Sequence, residues 1–205
     1  IGKASAVNLF ISSAKEDVVI LSSADILIPN DTIDKITRPL RERDIGIVGS
    51  HPVPVNDPNS FFGFAAHLMW GLHHQISLTS PKMGEFIAFR KIFKQIPLTS
   101  SVDEASIEAL IRGQGYIAVY APKAIIYNKG AENFKEFIER RRHIYAGHLE
   151  TKNEYSYNVS TISVSKIILV LIKNFKFTRR FIFWTPFVIL IEALGRFLGL
   201  LDYKF

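Results

Sequence analysis

Apolar and polar positions fall in blocks along the first three quarters of the chain, and the blocks switch between the two-residue period of a strand and the 3.6-residue period of a helix. Residues 1–14, IGKASAVNLFISSA, set Val7, Leu9, Phe10 and Ile11 among small polar residues and predict a helix. It feeds a short apolar run, Val18 to Leu21, that meets Ser22, Ser23, Ala24 and Asp25. This pattern predicts a buried strand finishing on an acid. Asn30 or Asp31 is placed to cap a helix toward Leu40, which Pro39 keeps short. Residues 45–50, IGIVGS, predict a second buried strand, and His51 to Ser60, with Pro52, Pro54 and Pro58, a turn-rich loop.

The next block, Phe61 to Ser77, is apolar almost all round and predicts a helix that is buried or lies at an apolar boundary. Its histidines, His67, His73 and His74, lack the H-E-x-x-H spacing of a metal site and read as ordinary helix residues or acceptor-side candidates. Residues 84–91, GEFIAFRK, predict a strand; residues 101–113 predict a helix opened by a Ser101-x-x-Glu104 capping box. Two strands follow, at 116–121 and 124–127, broken at Pro122 and Lys123, and then an amphipathic helix from Asn133 to Leu149 with a dense basic face. This alternation predicts an α/β domain, a mostly parallel sheet flanked by helices, over residues 1–150.

Past Thr151 the pattern changes. A polar stretch, NEYSYNVST, leads into SVSKIILVLIKNF and RRFIFWTPFVILIEALGRFLGLLDY, so residues 151–205 form a hydrophobic helical segment. Phe181 to Leu201 would span about 31 Å as a helix at ~1.5 Å per residue, enough to cross a bilayer core. Lys173, Lys176, Arg179 and Arg180 precede it, as on a cytoplasmic flank. Glu192 and Arg196 lie four apart on one face and are costly there unless they face protein. A membrane-associated helix pair, inserted or interfacial, is the expectation; a hairpin packed on the domain is the alternative.

The 205 residues suffice for one ordinary domain plus an appendage, and the mean hydropathy of +0.16 reflects the C-terminal segment. The net charge of +6 suits an anionic partner. The absence of cysteine excludes disulfides and thiolate metal sites. The chain opens on Ile1 without a signal peptide, which predicts a piece that has lost its natural beginning.

Three clusters carry chemistry. Asp25 ends a strand, where α/β sheets bind ligands in the crevice beyond the strand ends, although an acid there is equally able to cap or turn the chain. Asp103 and Glu104 open a helix, a rigid place from which to present a general base. Arg140, Arg141 and Arg142 offer guanidinium groups suited to a diphosphate. Nucleic acid is disfavoured as a partner, because the aromatics lie in the apolar stretches and do not interleave with the basic cluster.

The order of these stretches resembles the later part of a family-two glycosyltransferase of GT-A (Rossmann-like) fold, in its membrane-associated, cellulose-synthase-like branch. GKASAVN resembles the family's G-K-x-x-A-x-N segment, VVILSSAD its strand ending in D-A-D, GEFIAFRK its acceptor-side segment, VDEASIEALIRGQGY its E-D motif, and ERRRHIYAG its Q-x-x-R-W helix. The likeness implies that Asp25 holds a Mg2+ or Mn2+ ion on the diphosphate of a nucleotide-sugar donor, with Lys3, Ser23 and Arg142 as further donor-side residues. Ser23 stands where the first aspartate of D-x-D would be. Glu104 aligns with the catalytic aspartate, and Asp103 with the glutamate before it. Gly84, Glu85, Glu139 and His143 fall on the acceptor side, Glu139 and His143 replacing the glutamine and tryptophan of the third motif.

The resemblance further implies a single inverting displacement: Glu104 deprotonates an acceptor hydroxyl, which attacks the anomeric carbon as the nucleoside diphosphate leaves. The acceptor would be a saccharide or a lipid-linked molecule at the cytoplasmic membrane face. The family's first βαβ half is missing, so these residues alone are expected to be inactive and their full-length parent an enzyme. The competing reading is a basic, membrane-docked binding protein with a decayed transferase site; a nucleic-acid binder comes third.

Overall fold

The computed structural model describes residues 2–157, 159 and 164–204; part of the polar stretch before the C-terminal segment lies outside them. In chain order the elements are α1 (Lys3–Ser13), β1 (Val18–Ser22), α2 (Thr32–Thr37) with a 3-10 turn at Arg38–Arg41, β2 (Ile45–Pro54), α3 (Phe61–Ser77), β3 (Phe86–Arg90), α4 (Asp103–Gly113), β4 (Ile117–Asn128), α5 (Phe134–Tyr155), α6 (Val164–Lys173) and α7 (Arg179–Lys204).

The strands form one sheet in the order β1-β3-β2-β4. The α/β architecture is as predicted, but the sheet is mixed: β3 runs antiparallel to both β1 and β2, and only β2 and β4 pair in parallel. The reason lies in α3, whose connection leaves and re-enters the sheet at the same edge, so β3 starts where β2 is ending. Strand alternation builds a core on each face. Ile87 and Phe89 pack with Ile47 and Ala118 beneath Val7 and Ile11 of α1 and Ile107 and Ile111 of α4. Phe86 and Ala88 point the other way, to Val48 and Ile126 beneath Ile36 and Leu40.

Two predicted breaks are absent. β2 runs on through Pro52 and Pro54, because past Gly49 its ladder is to β4 alone. The Val55 amide bonds to Asn128 O, so the amides of residues 52 and 54, of opposite parity, face away from that ladder and proline forfeits nothing there. Pro122 and Lys123 likewise do not divide β4; they sit in a register shift, where Gly49 pairs with Tyr120 and His51 with Ile125.

The capping box is also not made. Val102 is the N-cap of α4 without a side-chain bond, while Ser101 Oγ donates to Glu150 Oε2 of α5 at 2.8 Å. Asp31 begins α2 without capping it and instead takes Lys35 Nζ at 2.5 Å. Ser60 and Asn133 do cap, accepting from the Gly63 and Glu136 amides at 3.0 and 2.9 Å.

The hydrophobic C-terminal pair is unequal. α6 has 10 residues, too few to cross a bilayer, whereas α7 has 26 and is the one helix among the described residues long and apolar enough to do so. α7 carries two stripes of alternating four- and three-residue spacing. Phe181, Thr185, Val188, Glu192, Gly195 and Gly199 turn inward and are largely buried. Phe183, Phe187, Leu190, Leu194, Phe197 and Leu201 turn outward, Leu190 reaching 65% exposure.

The inward stripe rests on α5. A Cβ on Gly195 would lie 2.6 Å from Arg141 Cβ, and one on Gly199 2.6 Å from the Arg142 carbonyl oxygen, so the two helices touch backbone to backbone. Glu192 meets Arg141 at 2.6 Å and Arg196 at 2.8 Å. The two charges that would be costly in a membrane therefore face protein.

Candidate active site at the sheet edge

The carboxyl ends of β1, β2 and β4 and the start of β3 share one edge of the sheet. β1 leaves it at Ser22, and the Ser23 amide donates to the Glu85 carbonyl at 2.9 Å. The chain then crosses the ends of β3 and β2 to reach β4, where Leu27 and Tyr127 exchange amide bonds of 2.8 and 2.9 Å. Asp25 lies exposed in the middle of this strap. Both ends of the strap are fixed by backbone bonds, which hold Asp25 between them.

Glu85, half-buried beneath the strap, accepts a 2.7 Å bond from Asn128 Nδ2 at the end of β4. Burial pushes its carboxyl above the usual range; the Asn128 bond opposes this, while Asp25 and Glu104 push it further up. Asp25, Glu85 and Glu104 thus share one electrostatic neighbourhood. The acids of α4 sit against α1: Lys3 Nζ lies 3.1 Å from Glu104 Oε1 and 3.3 Å from Asp103 Oδ2. Burial alone would lower the Lys3 ammonium, but the two carboxylates outweigh it and raise it. Asp103 is 1% exposed and raised by burial, with Lys3 working against that, whereas the Glu104 side chain keeps 14% exposure. Of the two, Glu104 is the more exposed.

The three arginines diverge, as the ~100° step between successive helix residues requires. Arg140 bonds the Lys129 carbonyl at 3.0 Å and Glu136 at 2.6 Å, and its charge reaches Glu85. Arg141 is committed to Glu192. Arg142 grips Asp202 of α7 through two bonds of 2.9 and 2.7 Å. His143 donates from Nε2 to the Ser101 carbonyl at 3.0 Å and so ties α5 to the start of α4, while exposed Glu139 stands 4.0 Å from Lys135. Gly84 lies beside the buried His73 ring, 3.8 Å from where its Cβ would be.

The edge therefore assembles Asp25, Ser23, Gly84, Glu85, Asp103, Glu104 and Lys3, and leaves Arg142 and Glu139 apart from them. Three contributors carried no sequence motif. Asn128 is a lone polar residue closing an apolar strand. Arg140 was one of three equivalent arginines. Lys82, half-buried before β3, is pulled down to about 8 by burial and by Arg141, against the pull of Glu108 and Glu104.

Among the described residues no group of three or more histidines or acids is arranged as a metal cage. A magnesium-like ion, however, is commonly held by one or two carboxylates together with substrate phosphates. An exposed carboxylate at Asp25, on a strap pinned at both ends, fits that shared mode and does not fit an all-protein site.

No protein-family model and no curated protein matches the chain. The fold does match solved structures. Mannosyltransferase PcManGT from Pyrobaculum calidifontis, solved in complex with GDP-Man and Mn2+, superposes with a TM-score of 0.57 at 19% identity, over 95% of this chain and 53% of that one. A mycobacterial protein gives a TM-score of 0.46 at 16% identity, over 73% of this chain and 51% of that one. The chain has a glycosyltransferase-like fold and spans about half the length of these neighbours.

Proposed function

We propose that these residues form the metal-side and acceptor-side half of a nucleotide-sugar-dependent glycosyltransferase of the membrane-associated, cellulose-synthase-like kind, the complete reaction belonging to a longer protein. The observation that carries this reading is the meeting of Asp25, Glu85, Asp103 and Glu104, far apart in sequence, at one sheet edge of a fold shared with a nucleotide-sugar-binding mannosyltransferase.

Glu104 takes the proton of an acceptor hydroxyl, whose oxygen forms the new bond to the anomeric carbon as the bond to the nucleoside diphosphate breaks, with inversion. Lys3 fixes the Glu104 carboxylate in place through an ion pair of 3.1 Å. A Mg2+ or Mn2+ ion on Asp25 would neutralise charge developing on the leaving diphosphate. Arg142 would reach that diphosphate only on releasing Asp202, so Arg140 is the better placed cation in this state. Residues 151–205 then dock the domain on the cytoplasmic face of a membrane. The outward stripe of α7 supports this, and its inward stripe, covered by α3 near Phe181 and by α5 from Glu192 to Gly199, favours a helix lying in one leaflet over one that crosses.

Titration calorimetry of the full-length protein with GDP tests the site. The expected result is Mn2+-dependent binding that Asp25→Ala weakens by at least about tenfold, or ~1.4 kcal/mol. Binding that ignores both the metal and the substitution sinks the proposal. The engagement of Arg142 with Asp202 also favours a second reading, a binding protein with a decayed site, and that reading requires metal-dependent GDP binding with no turnover on any acceptor.

A further inference from the structure

Away from the acid edge, α3, the outer stretch of β2 and the α6–α7 turn enclose a cavity of about 560 Å³. This is within the ~300–1,000 Å³ of ordinary small-molecule sites. Its walls are apolar, with Phe64 and Leu68 of α3 facing Val170 and Leu171 of α6 and Phe181 of α7. The three histidines on its lining are already engaged, His51 with the Pro122 carbonyl at 3.1 Å, His67 with the Asn56 carbonyl at 3.0 Å and His74 with Tyr120 Oη at 2.8 Å. At the mouth stand two exposed cations, Lys176 and Arg180. Arg180 is steered there by a hydrogen bond to Asn59 Oδ1 and by its position over the Trp184 ring.

The mouth opens beside the exposed apolar surface of the same two helices: Phe175 is 45% and Phe177 92% exposed, next to the outward stripe of α7. A closed polar pocket would admit a soluble metabolite. An apolar slot with a cationic lip, continuous with an exposed apolar band, instead matches one molecular shape, a hydrocarbon chain ending in an anion.

We infer that the slot between α3 and the α6–α7 turn binds a membrane lipid with a phosphate headgroup, an apolar chain lying against Phe64, Leu68 and Leu171 and the phosphate on Lys176 and Arg180. The slot stands on its own geometry and does not depend on sugar transfer at the acid edge.

Gly71 supplies a clean test. It lines the cavity, a Cβ there would meet nothing within 4 Å, and it lies inside a helix where glycine is itself unfavourable. Gly71→Phe therefore fills the slot without disturbing the fold, which an unchanged melting temperature verifies. A long-chain monoalkyl phosphate below its micelle concentration serves as probe, read by calorimetry against the matched alkyl alcohol and inorganic phosphate. Saturable binding of the alkyl phosphate is expected, weakened at least about tenfold by Gly71→Phe and by a comparable factor in Lys176→Glu/Arg180→Glu, whose changes are on the exposed lip. Equal affinity for the alcohol would overturn the anionic headgroup. Binding of inorganic phosphate as tightly as the alkyl phosphate would overturn the lipid source, and wild-type affinity in either variant would overturn the slot. None of these outcomes bears on GDP binding at Asp25, which fails or succeeds separately.

Discussion

At the sheet edge Lys3 is ion-paired with Asp103 and Glu104, and Glu85 feels the charges of Asp25, Glu104 and Arg140. Between α5 and α7, Glu192 is shared by Arg141 and Arg196, and Asp202 is matched to Arg142. Both regions draw on distant parts of the chain. They differ in sign. The α5–α7 cluster sets three arginines against two carboxylates, each carboxylate held in an ion pair, and contributes structure, whereas a site where carboxylates crowd together favours a proton or a cation from outside.

The largest expected separation between the two comes from Glu104→Gln in the full-length protein. Turnover should fall by about 10²–10⁴-fold, the usual share of a general base, with GDP affinity and melting temperature nearly unchanged. Steady-state kinetics with unchanged turnover would remove Glu104 from that role. Between the helices, Glu192→Leu removes the carboxylate shared by two partly buried guanidinium groups and should cost about 2–3 kcal/mol in urea unfolding, somewhat below a fully buried pair. Combining it with Arg141→Met and Arg196→Met should restore most of that loss; failure to do so would mean that the charges do more than balance. Gly199→Ala forces a methyl against the Arg142 carbonyl and should destabilise by about 1–3 kcal/mol without altering GDP binding.

The smallest effect is a pH dependence. Glu85 has a raised carboxyl in the folded state, so its neutral form favours folding; that contribution is complete below the ordinary glutamate range and fades as pH rises through the folded value. The melting temperature of wild type relative to Glu85→Gln should therefore decline from pH 4 toward neutrality, on a scale set by a single carboxyl. A rise over the same interval would contradict the crowding of acids at this edge.

The elements themselves were readable because burial imposes periodicity: α3 and β1 lie where their apolar runs place them. Strand direction was not, since the alternation of helices and strands says nothing about which edge a connection returns to, and β3 came back antiparallel. Prolines misled for a related reason. Pro52, Pro54 and Pro122 signal a break only where the missing amide would have had a partner, and the partner is set by tertiary pairing.

At the site, the sequence offers Asp25, Lys3, Glu85 and Glu104 as candidates, but not the Lys3–Glu104 and Asn128–Glu85 contacts, because these join residues far apart in the chain. Arg142 shows the converse: a motif position fixes a helix face, and the partner on that face came from a segment sixty residues on. Gly195 and Gly199 were visible in sequence, but their four-residue spacing matters only once α5 is known to lie against it.

Helix α5 joins the two regions through contacts that leave no slack. Near its middle a Cβ on Gly147 would lie 2.6 Å from Val102, the residue just before Asp103, and a few residues earlier Arg141 and Arg142 press on Gly195 and Gly199. Close-packed interfaces of this kind transmit displacement and do not absorb it. The C-terminal helix, α5 and the helix bearing Asp103 and Glu104 are therefore packed in series, so the position of α7 constrains that of the two acids.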